Sequence, residues 1–138
     1  MSPLEVLHKS IETNQLGHAI LLESKNSKSL SDTAESLASK ILKTDTLHHH
    51  PDFFTLRPSG KSRFIRIGKK EDQNKGSLPE NTMRRLINDL QKTSNQGGHK
   101  VAVIYEAERM NKESANAFLK TLEEPPTDTI LFLLTHRP

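Results

Sequence analysis

The chain contains no cysteine among its 138 residues. This absence excludes a disulfide framework, a thiolate metal site and a cysteine nucleophile. Apolar residues are also scarce, at 33%, so the core must be economical and the surface very polar. No stretch reaches the ~18 apolar residues of a membrane span, and the N-terminus lacks the apolar segment of a signal peptide. We therefore expect one soluble, cytoplasmic domain without membrane contact.

Apolar runs along the chain predict the strands. Three nearly continuous runs, at 18–22, 100–105 and 129–134, are typical of strands that are covered on both faces of a parallel sheet. Two shorter strands are predicted at 53–57 and 63–67, on either side of a Pro-Ser-Gly turn. Because such strands alternate with amphipathic helices, the chain predicts an α/β fold, with a mostly parallel sheet and helices on both faces.

Apolar residues at helical spacing predict four helices. The first spans 3–14. The third begins at Ser77, which has capping-box spacing to Glu80, and the fourth is capped by Asn111 and ends before Pro125. The stripes of the second, third and fourth helices are Leu30, Ala34, Leu37, Ala38, Ile41 and Leu42; Met83, Leu86, Ile87 and Leu90; and Ala115, Phe118, Leu119 and Leu122.

The loop after the first strand is where an α/β fold binds phosphate, because backbone N–H groups and a helix N-terminus converge there. Residues 23–31 read Glu-Ser-Lys-Asn-Ser-Lys-Ser-Leu-Ser and include no glycine. Lys25 and Lys28 can attract an anion, but an ordinary solvated connection is the simpler interpretation. A second tract, Gly-Lys-Ser at 60–62, imitates the end of a phosphate loop. We reject it because a predicted strand follows and Thr55 stands at the leading glycine position.

Other motifs give little support to a metal site or to hydrolytic chemistry. The tract His48-His49-His50 is interpreted as a polar turn, because three adjacent side chains do not easily converge on one ion. No nucleophile elbow is present. Glu106 and Glu108 follow a predicted strand and can form a catalytic acid pair, but two exposed acidic residues are the simpler interpretation. We expect no metal and no catalytic residue.

Positive charge is concentrated at 57–75, which has seven basic and two acidic residues. Its charge of +5, against a total of +3, leaves −2 for the rest of the chain. A basic hairpin, followed by a mobile loop at 68–76, can contact a phosphate backbone. A solvated face is an equal alternative, because Phe64 is the only aromatic residue of the segment. The candidate DNA or anion contacts are Lys61, Arg63, Arg66, Lys69 and Lys70.

The segment Asn-Ala-Phe-Leu-Lys-Thr-Leu-Glu-Glu-Pro-Pro at 116–126 resembles the clamp-loader subunits of bacterial DNA polymerase III, the gamma/tau and delta-prime family of AAA+ proteins. The phrases Gly-His-Ala at 17–19 and His-Pro-Asp at 50–52 also fit. The resemblance covers the whole chain. It implies a three-layer, P-loop NTPase-like (AAA+) domain at 1–138, with the later helical and collar domains of the family outside this chain.

The resemblance also implies that the ATP site is degenerate. The Walker A lysine position falls on Leu30 and the following threonine position on Ser31, while the glycine positions fall on Ser24, Ser27 and Ser29. Without the lysine, no point charge faces the β and γ phosphates. Without the glycines, Cβ atoms crowd the backbone cradle. We therefore expect no nucleotide cofactor and no ATP hydrolysis.

The other family positions are mixed. The magnesium-binding aspartate position of the Walker B strand falls on Tyr105, whereas Glu106 keeps the next acidic position. Thr135 matches the polar sensor at the end of the last strand. The four-cysteine zinc module of the family has no counterpart in a chain without cysteine. Zinc is therefore not expected.

Loss of both Walker elements implies the delta-prime type, a subunit that does not hydrolyse ATP. Its implied partners are the gamma/tau and delta subunits in a hetero-oligomeric ring, and through that ring the sliding clamp and primed DNA. Two alternatives stay open. One is a divergent gamma/tau-like ATPase that uses Lys28 as a displaced phosphate lysine and Glu106 as water-positioning base. The other is a basic DNA-binding module at 57–75.

Overall fold

The computed structural model describes residues 19–59, 63–68, 81–92, 98–124, 126 and 128–135, without the side chain of Ser27. The helix predicted at 3–14 and the capping-box residues Ser77 and Glu80 lie outside these ranges, as does most of the loop predicted at 68–76. The strands are β1 (Ala19–Glu23), β2 (Phe53–Leu56), β3 (Lys100–Ile104) and β4 (Thr129–Thr135), and the helices are α1 (Ser27–Leu42), α2 (Met83–Leu90) and α3 (Lys112–Glu123). Two short 3-10 helices span Leu47–His49 and Ala107–Arg109.

The four strands form one parallel sheet in the order β1, β4, β3, β2. Glu23 is in register with Thr135, and Leu56 is in register with Ile104. Because all four strands run the same way, their carboxyl ends meet at one edge of the sheet. This edge holds the loop before α1 and the residues that follow β2 and β3.

Helices cover both faces of the sheet, as predicted. On β3, Ala102 and Ile104 belong to one buried cluster, which includes the inward side chains of α2 and α3. Val101 and Val103 belong to a second cluster, packed against α1. This alternation follows from the period of two in a strand and makes the domain three layers thick. None of the helices in the described ranges has the length and apolar character of a membrane span.

One residue of the predicted stripe of α1 departs from expectation. Leu30, Ala34 and Ala38 are buried, as predicted, but Leu37 is 36% exposed. The predicted stripe of six residues is wider than the contact that α1 makes with β3 and β4. The expectation that Leu37 lies against the sheet was therefore wrong.

The start of α2 also differs from the prediction. The helix begins at Met83, and its N-cap is Thr82, whose Oγ1 accepts a hydrogen bond of 3.3 Å from the N–H of Arg85. Asn81 has a φ of +58°, in the left-handed region, so the helix cannot continue through it toward Ser77. The predicted cap Asn111 is confirmed, because its Oδ1 accepts a 2.9 Å bond from the N–H of Ser114.

The strand predicted at 63–67 is not a ladder strand. Phe64 forms an isolated antiparallel bridge with Ser59, whereas Ile65 and Arg66 form single parallel bridges with Met110 and Thr82. A ladder needs successive pairs with one partner, and here each residue meets a different piece of chain. The segment is nevertheless fixed by these three bridges, and Ile65 is fully buried.

Candidate functional site

The carboxyl edge of the sheet brings together the residues that the sequence singled out. The N–H of Ser24 donates a 3.2 Å hydrogen bond to the carbonyl of Thr135, so the predicted phosphate loop touches the predicted sensor position. The N–H of Tyr105 donates a 2.9 Å bond to the carbonyl of Leu56, which places the residue after β3 beside the end of β2. Thr135 itself is fully buried.

The loop before α1 uses its own side chains to satisfy its backbone donors. Ser24 Oγ accepts a hydrogen bond of 3.1 Å from the N–H of Asn26. Asn26 Oδ1 caps α1 by accepting a 3.1 Å bond from the N–H of Ser29. These N–H groups are of the kind that would otherwise point at a bound phosphate. Two N–H donors that a phosphate-binding loop could use are therefore already bonded to side-chain oxygens of the protein.

Leu30 holds the position that the resemblance assigns to the Walker A lysine, and its side chain is turned into the core. It is 7% exposed and packs in the same cluster as Ala34, Val103 and Tyr105. The flanking residues Lys28 and Ser29 are exposed, and Ser31 is half-buried. The first turn of α1 therefore contributes to the core rather than to a charged pocket.

Tyr105, at the position of the Walker B aspartate, is only 5% exposed. Its hydroxyl donates a hydrogen bond of 3.2 Å to Oε2 of Glu35 on α1. The guanidinium carbon of Arg57 lies 3.7 Å from the centroid of the tyrosine ring, a cation–π contact. Tyr105, at the carboxyl end of β3, is thus held by Glu35 of α1 and by Arg57, which follows β2.

Glu35 extends this contact to the histidine tract. Its Oε1 lies 2.7 Å from Nε2 of His48, and the His48 ring packs edge-on against Phe53, with ring centroids 5.6 Å apart. His50 has a separate partner, because its Nδ1 accepts a 3.1 Å bond from the N–H of Asp52. Within the described ranges, no group of three or more acidic or histidine side chains has the arrangement of a metal site.

The phenol of Tyr105 stays neutral at physiological pH. Burial raises its pKa above the ordinary value, and the carboxylate of Glu35 raises it further, against a smaller opposing effect of Arg57. In a P-loop ATPase the side chain at this position is an aspartate, whose carboxylate helps to hold Mg²⁺. Tyr105 offers a neutral hydroxyl that is already donating to Glu35, so it does not fit the role of a metal ligand.

The carboxylate of Glu106 is also paired with another side chain of the domain. The residue has a φ of +51°, and its Oε2 accepts a hydrogen bond of 2.7 Å from Nη2 of Arg63, which is itself in the left-handed region. Glu106 and Glu108 were expected to be exposed. Both are half-buried, on either side of Ala107, which is fully buried at the start of the 3-10 helix after β3.

The basic segment contributes three described arginines, and the side chains of two of them make contacts inside the domain. Arg57 stacks on Tyr105 and Arg63 pairs with Glu106. Arg66 is exposed, while its backbone carbonyl accepts a 2.8 Å bond from the N–H of Met83. The remaining candidates Lys61, Lys69 and Lys70 lie outside the described residues.

The opposite edge of the sheet contains a buried lysine that sequence reasoning treated only as a strand residue. Lys100 is 4% exposed, and its Nζ donates to the carbonyls of Leu90 and Lys92 at the end of α2. Burial lowers the pKa of Lys100, while the nearby carboxylates of Asp52 and Asp128 counteract that effect. A positive charge at a helix C-terminus also complements the helix dipole.

The fold and the carboxyl edge of the sheet identify the domain as P-loop NTPase-like. It has three layers, and its strands, loops and helices follow one another in the order of a P-loop NTPase. In the loop before α1, side-chain oxygens accept hydrogen bonds from the loop's own N–H groups, and Tyr105, which stacks against Arg57, follows β3.

Comparison with known proteins agrees with this class. A family model described as "DNA polymerase III, delta subunit" matches residues 2–138. The chain is 38% identical over 89 residues to DNA polymerase III subunit delta' of Pseudomonas aeruginosa, over 64% of this chain and 23% of that protein. It is 27% identical over 150 residues to the delta' subunit of Bacillus subtilis, over 98% of this chain and 41% of that protein. The chain therefore belongs to the DNA polymerase III, delta subunit family and is of the delta' clamp-loader type, as its sequence predicts.

A solved structure supports the fold class. The chain is similar to the crystal structure of a DNA polymerase III gamma subunit-related protein from Thermotoga maritima, with a TM-score of 0.64 and 25% sequence identity. The similarity covers 99% of this chain and 40% of that one. The predicted AAA+ fold class is thus confirmed. The chain spans less than half of the length of each of these relatives.

Proposed function

We propose that this chain is the nucleotide-binding-type domain of a clamp-loader subunit that takes part in loading the sliding clamp onto primed DNA without hydrolysing ATP itself. The observation that carries the proposal is the contact set of Tyr105, which is stacked under Arg57 and bonded to Glu35. In this role the domain is a fixed partner of the gamma/tau and delta subunits in a hetero-oligomeric ring.

The position of the metal ligand is occupied by a tyrosine. Phosphoryl transfer from ATP relies on Mg²⁺ to neutralise charge on the phosphates, and an acidic side chain commonly holds that ion. Tyr105 is a neutral, buried phenol at the corresponding position. Glu35 lies nearby, but one of its oxygens accepts from Tyr105 and the other contacts His48. These contacts favour a domain without the metal site of an ATPase.

The loop that would bind the phosphates is occupied by its own side chains. Leu30 is packed in the core, and the N–H groups of Asn26 and Ser29 are bonded to side-chain oxygens of the same loop. Binding of a triphosphate would have to break these bonds and open the loop. The cost of this rearrangement reduces the affinity for any nucleotide.

The ATPase alternative has less support from the geometry. It requires Glu106 to position a water molecule, but the Glu106 carboxylate forms a 2.7 Å ion pair with Arg63. It also requires Lys28 to reach a phosphate, whereas Lys28 lies on the exposed side of the first turn of α1. A carboxylate that is held by an arginine is less free to position a water molecule, so this arrangement suits a structural role better than catalysis.

Isothermal titration of the chain with ATP and Mg²⁺ tests the proposal. We expect no binding heat beyond dilution, and micromolar affinity would overturn the inference. Arg63→Gln is an informative variant because it releases Glu106. If ATP turnover appears in this variant, or in the unaltered chain, and is abolished by Glu106→Gln, the ATPase alternative is correct.

The proposed assembly has its own test. The chain is mixed with gamma/tau and delta subunits of the same organism and analysed by size-exclusion chromatography with light scattering. Co-elution in a complex of defined mass supports the role as a ring partner. A chain that elutes alone at every concentration contradicts it.

A further inference from the structure

Phe64 is exposed, and it is one of the five phenylalanines of the chain. Its 44% exposure exceeds that of the other large apolar side chains that are exposed in the described ranges, Ile20 and Leu37. An exposed aromatic ring offers a flat face on which another ring can stack. The ring is therefore a candidate for binding.

The backbone that carries Phe64 is firmly held. The carbonyl of Phe64 accepts a 3.1 Å bond from the N–H of Ser59. The next residue, Ile65, is fully buried, and its N–H donates 2.9 Å to the carbonyl of Arg109. Its carbonyl accepts a 2.8 Å bond from Oγ of Ser114. Since the segment is already ordered, a ligand that contacts Phe64 pays little additional backbone entropy.

The neighbours of Phe64 are cationic. Ile65 points into the core, so Phe64 and Arg66 lie on the opposite, exposed face of this extended segment, about 6–7 Å apart along the chain. Arg63 precedes the ring, and its side chain is also largely exposed, although it is paired with Glu106. An aromatic face with a positive group beside it matches a base with its phosphate.

We propose that Phe64 and Arg66 form a binding site for single-stranded nucleic acid, in which an unpaired base stacks on the Phe64 ring and Arg66 contacts a backbone phosphate. The inference does not depend on the role in clamp loading. Single-stranded rather than duplex nucleic acid is implied, because the bases of a duplex are already stacked on each other and cannot offer a face to the ring.

Nucleic acid fits this surface better than an acidic protein does. In the sequence, residues 57–75 have a net charge of +5, and the described basic residues among them, Arg57, Arg63 and Arg66, are all exposed. A polyanion of regularly spaced phosphates gains from positive charge by releasing counterions. A single exposed ring beside an arginine is enough for one base, whereas a protein partner would need a broader apolar patch.

Fluorescence anisotropy of a labelled oligothymidine, measured with the full chain between about 50 and 200 mM salt, tests the proposal. We expect measurable binding that weakens steeply with salt, and weaker binding of a duplex of equal length. Phe64→Ala should raise the dissociation constant of the single strand at least about fivefold. Phe64→Tyr, which keeps the ring, should leave it unchanged, and Phe64→Leu should behave like Phe64→Ala.

The arginine has a separate signature. Arg66→Gln should weaken binding and lower the slope of log affinity against log salt by about 0.7, the value for one phosphate contact on a single strand. Lys112→Gln, an equal loss of charge on the exposed side of α3, and Leu37→Ala, an exposed apolar residue on α1, are the matched controls. Neither control should change affinity by more than about a factor of two if the contact is local.

Three results would overturn the proposal. The first is no binding of the oligonucleotide at the lowest salt. The second is equal affinity of Phe64→Leu and the unaltered chain, which would remove the stacking role. The third is self-association in sedimentation that Phe64→Ala abolishes while oligonucleotide binding persists, because Phe64 would then serve a protein contact. Circular dichroism of each variant verifies folding, which a substitution of an exposed ring should preserve.

Discussion

The hydroxyl of Tyr105 donates a 3.2 Å hydrogen bond to Oε2 of Glu35, a residue 70 positions earlier in the chain. The bond joins the residue after β3 to α1 across the sheet edge where P-loop proteins bind phosphate. In an active P-loop protein, metal and nucleotide lie between these two elements. In this domain side chains connect them directly, so the spacing of α1 and β3 does not depend on a ligand.

Tyr105 can be titrated on its own, because it is the single tyrosine of a chain without tryptophan. Its raised pKa predicts that the native protein develops no phenolate absorbance at pH 10, whereas the chain unfolded in urea titrates near its ordinary pKa of about 10. Ultraviolet absorbance against pH, with and without urea, makes the comparison. Half-ionisation of the native phenol at pH 10 would contradict the buried contact.

The same pKa shift makes stability depend on pH. The folded-state pKa of Tyr105 lies above the unfolded value, so the stabilisation is complete below pH 10 and is lost as pH rises above it. Tyr105→Phe has no phenol to ionise. Urea unfolding of the two proteins across this alkaline range should give curves that converge as pH rises, and parallel curves would show that Tyr105 is not responsible.

Removal of the Tyr105 hydroxyl should lower the free energy of unfolding at neutral pH by about 1.5–3 kcal/mol, the usual contribution of a hydrogen bond to a charged acceptor. Glu35→Gln should have a smaller effect, since an amide oxygen can still accept. A double-mutant cycle with Tyr105→Phe and Glu35→Ala measures the coupling. A coupling energy near zero would mean that the two side chains act independently.

Restoring the Walker lysine should not restore ATP binding. Leu30→Lys places an amine in the cluster that contains Val103 and Tyr105, so we expect a loss of at least about 2 kcal/mol in unfolding free energy. Leu30→Met, which keeps the volume and the apolar character, should cost less than about 1.5 kcal/mol. Urea unfolding and calorimetry with ATP provide the two readouts. A stable Leu30→Lys variant with micromolar ATP affinity would refute this account of the site.

Lys100 should be essential for the packing of α2. Lys100→Met leaves the carbonyls of Leu90 and Lys92 without this donor and removes a positive charge near Asp52. We expect a loss of about 2–4 kcal/mol, measured by urea unfolding. Lys112→Met, at an exposed position of α3, is the matched control and should change stability by less than about 0.5 kcal/mol. Equal effects of the two substitutions would remove the special role of Lys100.

The strands and the buried stripes were predictable because their signals are local. The runs at 100–105 and 129–134 match β3 and β4 to within one residue, since strands that are covered on both faces need continuous apolar sequence. Asn111 was correctly predicted as a cap because the capping bond spans only three residues. The family was recognisable from the segment at 116–126 for the same reason.

The errors arose where distant residues compete with a local signal. Local spacing placed the start of α2 at Ser77. The helix begins at Met83, next to Thr82, which pairs with Arg66. The segment at 63–67 has the composition of a strand, but its three partners are separate pieces of chain. Pairing of this kind has no periodicity along the sequence, so no local pattern could reveal it.

Residue type and spacing alone predict the α/β order of elements, the missing glycines and lysine of the phosphate loop, and the tyrosine in place of an aspartate. The side-chain contacts that take the place of the phosphate and metal ligands are visible only in the folded domain. The fold placed Tyr105 between Arg57 and Glu35, paired Arg63 with Glu106, and left Phe64 exposed on a rigid segment. These contacts join residues from separate elements, which meet only when the parallel sheet, the helix α1 and the segment at 63–67 pack together.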